Sequence, residues 1–172
     1  MDFGSYLQKG IQILQLDRSA IRAVYRDEEA LLPAMLFFAV GGLASGVGQF
    51  SFRGIIFGVL LMTVVSFVIV GMLQVLARLF GGTATFLELY RPLGIAAPVH
   101  WVQVVPFVGA FLGSLAVLYS LAVSATVLET VGGLPRSKAL LVVALMFGIC
   151  LFLGLVFLAV VGSLLLFRSV FS

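Results

Sequence analysis

The feature that most constrains this chain is unbroken apolar length. Four stretches, Leu31 to Phe50, Gly54 to Ala77, Val104 to Leu128 and Ala139 to Phe167, meet the requirement of about 20 mostly apolar residues for a membrane-spanning helix. At a rise of about 1.5 Å per residue, such a helix crosses a hydrocarbon core about 30 Å thick. Of the 172 residues, 62% are hydrophobic and 10% are charged. A soluble sphere of this size cannot hide that much apolar surface, which excludes a soluble globular fold. The sequence specifies an all-α integral membrane protein.

A fifth segment, Phe86 to Gln103, is apolar and about long enough to span, but it carries Glu88, Arg91 and His100 and is interrupted by Pro92 and Pro98. The positive-inside rule favours counting it. With five spans and a cytoplasmic N-terminus, only Arg53 and Arg168 of the 10 lysines and arginines fall outside. With four spans, Arg136 and Lys138 move outside and Arg168 comes in. Glu88 and Arg91 also sit in the first two turns of the segment, while His100, Trp101 and Gln103 gather at its other end, where interfacial Trp and His are tolerated. The expected fold is a five-helix transmembrane bundle over residues 31–172, preceded by a cytoplasmic amphipathic segment over residues 1–30.

In that leading segment Gln8, Gln12, Gln15, Ser19, Arg22 and Arg26 recur at helical spacing, with Leu7, Ile11, Leu14, Ile21 and Tyr25 in the adjoining sector. This is the pattern of a helix lying in the membrane interface, with a break near Asp17 where a second piece can be capped. The connections, Gln49 to Arg53, Arg78 to Thr85 and Val131 to Lys138, are too short to hold a soluble domain.

Few residues carry chemistry. Thr85-x-x-Glu88 spells a capping box, and Arg91 lies one turn on as an i,i+3 partner for Glu88. Glu129 faces a loop holding Arg136 and Lys138, which makes an interfacial ion pair the expected arrangement. His100, the single histidine, has no metal-ligand neighbours in sequence and reads as an interfacial polar residue; Cys150, the single cysteine, reads as inert. No nucleophile, base and orienting group assemble, no phosphate-binding glycine motif occurs, and no cofactor or nucleic-acid partner is expected. The glycines instead form close-approach pairs, Gly42 with Gly46, Gly54 with Gly58, and Gly109 with Gly113, each at the spacing that lets helix backbones meet.

Taken together, Gly81-Gly82-Thr83 through Phe86, Leu93-Gly94-Ile95-Ala96-Ala97-Pro98, Leu128-Glu129 and the turn Gly133-Leu134-Pro135-Arg136-Ser137-Lys138-Ala139 resemble the YIP (Ypt/Rab-interacting protein) membrane family in its prokaryotic branch. The stretch Ser19 to Val24, with Asp27 and Leu31-Leu32-Pro33-Ala34, is similar to the approach to that family's first span. The resemblance implies a cytoplasmic N-terminus and five membrane helices. Eukaryotic members carry an Asp-Leu-Tyr-Gly-Pro element and a Gly-Tyr pair associated with trafficking GTPases. Here the nearest strings are Glu88-Leu89-Tyr90-Arg91-Pro92 and Gly94-Ile95, which do not support GTPase binding.

The expected function is that of a non-enzymatic multi-pass scaffold or accessory subunit in a prokaryotic cytoplasmic membrane, binding lipids and other membrane proteins or copies of itself. The alternative is a small oligomeric transporter or channel built around the Pro-broken third segment.

Overall fold

The computed structural model describes residues 2–50 and 52–171, with side chains as far as Ser163. Among the described residues every regular element is helical: α1 (Phe3–Leu14), α2 (Arg18–Arg26), a 3₁₀ turn (Glu28–Ala30), α3 (Leu31–Gly48), α4 (Phe52–Leu79), α5 (Phe86–Ile95), a 3₁₀ segment (Ala97–Val104), α6 (Gly109–Thr130) and α7 (Arg136–Phe171). Four of these helices are long and apolar enough to cross a membrane: α3 with its preceding turn, α4, α6 and α7.

The first elements are set by caps. Asp2 accepts from the Gly4 amide at 3.0 Å to start α1. That helix stops at Leu16, which takes a left-handed φ of +62°. The Asp17 amide then reaches Gln12 O at 3.0 Å and the Leu16 amide reaches Ile13 O at 2.8 Å, the double bond of a Schellman motif. Asp17 next accepts from the Ser19 amide and hydroxyl, both at 2.7 Å, and starts α2. Asp27 repeats the device for the 3₁₀ turn by accepting from the Glu29 amide at 3.1 Å.

Helices α3 and α4 run antiparallel with their backbones nearly touching. A Cβ placed on Gly42 would lie 2.1 Å from Gly58 O, and one on Gly46 would lie 2.5 Å from Ile55 N. Only glycine permits this approach, which gains dispersion contact along the whole pair.

The stretch 86–103 is not one continuous helix. It forms α5 as far as Ile95 and resumes as 3₁₀ from Ala97. Pro98 has no amide to continue the α-helical ladder, and it disfavours α geometry at Ala97. The end of α5 and the 3₁₀ segment follow α3: Gly94 sits against Ala34, the Trp101 indole donates to Phe37 O at 3.1 Å, and Gln103 O lies against Gly48. The expected start of the next span at Val104 also shifts, to Gly109. Pro106 and a left-handed Phe107 (φ +64°) intervene, and the Val108 amide closes onto Pro106 O at 2.7 Å.

Contacts divide the bundle into two ends. At one end the Thr83 amide donates to Gly132 O at 3.1 Å and Lys138 Nζ to Phe80 O at 3.1 Å, so the 80–85 and 131–135 loops are joined. At the other, the Phe50 and Phe107 rings lie 6.4 Å apart. The core between them is apolar and includes Leu73, Leu89, Tyr90, Ile95, Val127 and Leu128, all essentially inaccessible to solvent.

Candidate functional site

Polar side chains concentrate where α1 and α2 meet the bundle. Thr85 begins α5 with the capping box closed in both directions, its amide reaching Glu88 Oε2 at 2.6 Å. Tyr25 of α2 hydrogen-bonds to the same carboxylate. The negative charge of Glu88, and then that hydrogen bond, hold the Tyr25 hydroxyl above its ordinary pKa. Arg91 acts on Glu88 through its charge, as its i,i+3 position allows. Its Nη1 donates to Tyr25 O at 3.1 Å, and its buried Nε has no partner. One turn of α5 thus grips α2 at both the side chain and the backbone of Tyr25.

Glu129, at the end of α6, takes two cations. Arg18 Nη2 lies 2.5 Å from Oε2 and Arg136 Nε lies 3.8 Å from Oε1. Lys138 is spent on Phe80 O instead. A third cluster closes the hairpin of the leading segment: the Tyr6 hydroxyl donates to Asp27 Oδ2 at 2.9 Å, with Lys9 Nζ 3.5 Å from the same oxygen. Burial, and after it the Asp27 carboxylate, push the Tyr6 hydroxyl up to about 12. The Tyr119 hydroxyl donates to Leu14 O, adding a tie between α6 and α1.

His100, expected as an interfacial polar residue, is packed inside the bundle. It is only 9% exposed, with its Cβ 3.6 Å from where a Gly41 Cβ would stand, and its Nδ1 is buried without a partner. The 3₁₀ path beside α3 carries it inward. Among the glycines, Gly42, Gly46, Gly54 and Gly58 lie where α3 meets α4, while Gly109 and Gly113 face the 3₁₀ segment: their Cβ atoms would lie 2.5 Å from Gln103 O and 2.8 Å from Gln103 Cγ.

Sequence reasoning missed Arg18, Tyr25 and Tyr6 as contact residues, because each meets a partner far along the chain. It also missed Gly10, whose Cβ would stand 2.4 Å from Ile95 O; no paired glycine marks that position. Among the described residues no three His, Cys, Asp or Glu side chains gather closely enough to hold a metal ion.

The arrangement is a set of ties between the leading helices and the bundle. Comparison of the sequence with known proteins fits this architecture. The Yip1 domain matches residues 11–158, from α1 through all but the last part of α7. A search of curated proteins and of solved structures finds no match. A family match over so much of the chain, on a helical bundle with four membrane-length helices, makes this a multi-pass membrane protein belonging to the Yip1 family.

Proposed function

We propose that this protein is a non-enzymatic scaffold or accessory subunit that binds other membrane proteins, with α1 and α2 forming its platform on the cytoplasmic side of a prokaryotic cell membrane. The observation that carries this reading is where the acidic groups at that end are committed. Glu88, Glu129 and Asp27 each hold one part of the chain to another. Groups so engaged fix a shape. The surface they fix presents Gln8, Gln15, Ser19, Arg22 and Arg26 outward.

An in-plane position for α1 is supported by its three faces. Tyr6, Gly10 and Ile13 are buried in the protein, Phe3, Leu7 and Ile11 are apolar yet exposed, and the glutamines are polar. A helix with one face on protein, one for lipid and one for water belongs at the interface.

Five crossings are supported by the order of contacts. From Gly94 onward, α5 and then the 3₁₀ segment track α3 from Ala34 to Gly48, and α6 starts beside Gln103. Together α5 and the 3₁₀ segment extend about 30 Å, enough for one hydrocarbon core. Their irregular backbone is sheltered by α3 and α6, as a lipid environment requires.

Reporters fused at residue 134 and after residue 172 test the topology, and opposite signals are expected. Equal signals remove the third crossing. Copurification from native membranes, comparing the wild type with Arg22→Glu/Arg26→Glu, tests the role. A membrane protein retained by the first and lost by the second is expected; identical recovery from both overturns the assignment of the platform.

A further inference from the structure

The end of the bundle away from α1 and α2 holds a recess of about 380 Å³ between α3, the 3₁₀ segment and α6. Ser45, Gln49 and Gln103 supply its polar lining, Phe50 and Phe107 are its aromatic residues, and none of its lining residues is charged. Two features set it apart from an ordinary surface groove.

The first is unspent hydrogen-bonding capacity. Gln49 Nε2 donates to Ser45 O at 3.2 Å and to Ser45 Oγ at 3.1 Å, and the Gln49 oxygen and the Ser45 hydroxyl hydrogen have no partner among the described residues. The Gln103 carboxamide makes no hydrogen bond among the described residues, although it is wedged against Gly113. His100 stands three residues earlier, and in a 3₁₀ helix residues i and i+3 eclipse, so the two side chains share one face. On α3 the facing residues Gly41, Ser45 and Gly48 form a single stripe: Gly41 meets His100, Gly48 meets Gln103, and Ser45 lines the recess. His100, whose buried Nδ1 has no partner among the described residues, therefore stands about one turn from Gln103 on the same face, beside the recess and outside its lining. Polar groups left unpaired in apolar surroundings are costly, and native interiors satisfy them with water or a ligand.

The second feature is the aromatic pair. Phe50 and Phe107 both take left-handed backbone conformations, with φ of +51° and +64°. Neither is glycine, so each carries a cost of order 1 kcal/mol. The two residues are 76% and 97% exposed, and their ring centroids lie 6.4 Å apart. From there the exposed apolar side chains of Phe111 and Leu115 continue along α6.

We propose that this recess binds the polyol head of an uncharged acylglycerol, with the free hydroxyls on Gln103, Ser45 and Gln49, the His100 imidazole one turn away, and the acyl chain passing over the phenylalanines onto α6. Donors and acceptors are both on offer, which suits a vicinal diol. The absence of charge disfavours a phosphate or carboxylate head. A polar floor with an aromatic exit suits an amphiphile better than a sugar. The inference rests on the reading of the chain as a membrane-embedded binding protein, but it concerns the opposite end from the α1–α2 platform.

The test uses the full chain labelled with ¹⁵N-histidine in phosphatidylcholine nanodiscs, titrated with 1-oleoylglycerol and, separately, with methyl oleate. As the chain has a single histidine, the imidazole signal is unambiguous. A saturable shift of the His100 resonances with 1-oleoylglycerol and none with methyl oleate is expected, weakened about tenfold or more in Gln103→Leu. Should that variant fail to fold, Ser45→Ala, which adds no bulk, is read in its place and is expected to weaken the response several-fold. A flat titration, equal shifts from both amphiphiles, or an unchanged response in the variant overturns the proposal; in each case the platform reading stands or falls on its own copurification test.

Discussion

Arg18 Nη2 of α2 lies 2.5 Å from Glu129 Oε2 at the end of α6, a contact that joins residues 111 positions apart. It ties the leading helices to the loop between α6 and α7, where Arg136 approaches the other oxygen of the same carboxylate. Arg18 is half exposed and Glu129 is largely buried, with side-chain exposures of 55% and 12%. A double-mutant cycle on Arg18→Ala and Glu129→Ala, read by thermal unfolding in detergent, is expected to give a coupling of about 1 kcal/mol that shrinks as salt is added. Zero coupling would make the contact incidental.

Gly42→Ala is expected to destabilise the protein by about 1–3 kcal/mol, because the new methyl would meet Gly58 O at 2.1 Å. Gly148 is the internal control. It is also mid-helix but has no atom within 4 Å of a built Cβ, so Gly148→Ala should be neutral or stabilising by up to about 1 kcal/mol. Melting in the same detergent compares them directly.

The leading segment gives a pH prediction. Tyr6 has its pKa raised from 10.0 to about 12 in the folded protein. Because the folded value lies above the unfolded one, the stability it contributes is complete below pH 10 and is lost as pH rises through about 12. Tyr6→Phe should remove that part of the alkaline loss, visible as a flatter dependence of the melting midpoint over this window. An unchanged slope would place the loss elsewhere.

Much of the architecture is legible because apolar length is a strong signal. Leu31 to Phe50 becomes Leu31–Gly48, and Gly54 to Ala77 becomes Phe52–Leu79. The capping box is equally legible, since Thr85 and Glu88 are three residues apart and both partners are spelled locally. What escapes the sequence is whatever depends on distant partners or broken geometry. Nothing near Glu129 names Arg18, and nothing near Glu88 names Tyr25. Pro98 announces an interruption, but not that the chain resumes as a 3₁₀ helix, which is what buries His100 beside Gly41. Gly10 and Gly48 are single glycines set against backbone carbonyls, so the paired-glycine pattern could not flag them.

The platform has a direct spectroscopic test. In a Cys150→Ser background, spin labels at Leu7 and Ile11 should be accessible to oxygen dissolved in the bilayer, and labels at Gln8 and Ser19 to a water-soluble nickel complex. All of these side chains are exposed or nearly so, and only the first two are apolar. Equal accessibility at all four sites would mean that α1 does not lie at an interface.

The central claim is that the polar groups at the α1–α2 end hold the chain in shape and carry no substrate or proton, and Glu88 decides it. Glu88→Gln preserves an oxygen that can accept from the Thr85 amide, so the cap survives while the charge is lost. Proton flux in reconstituted vesicles, measured for the wild type and for Glu88→Gln after each is shown to be folded, is the most direct measurement. The account predicts no flux above that of empty vesicles in either protein; flux in the wild type that disappears in Glu88→Gln would contradict it.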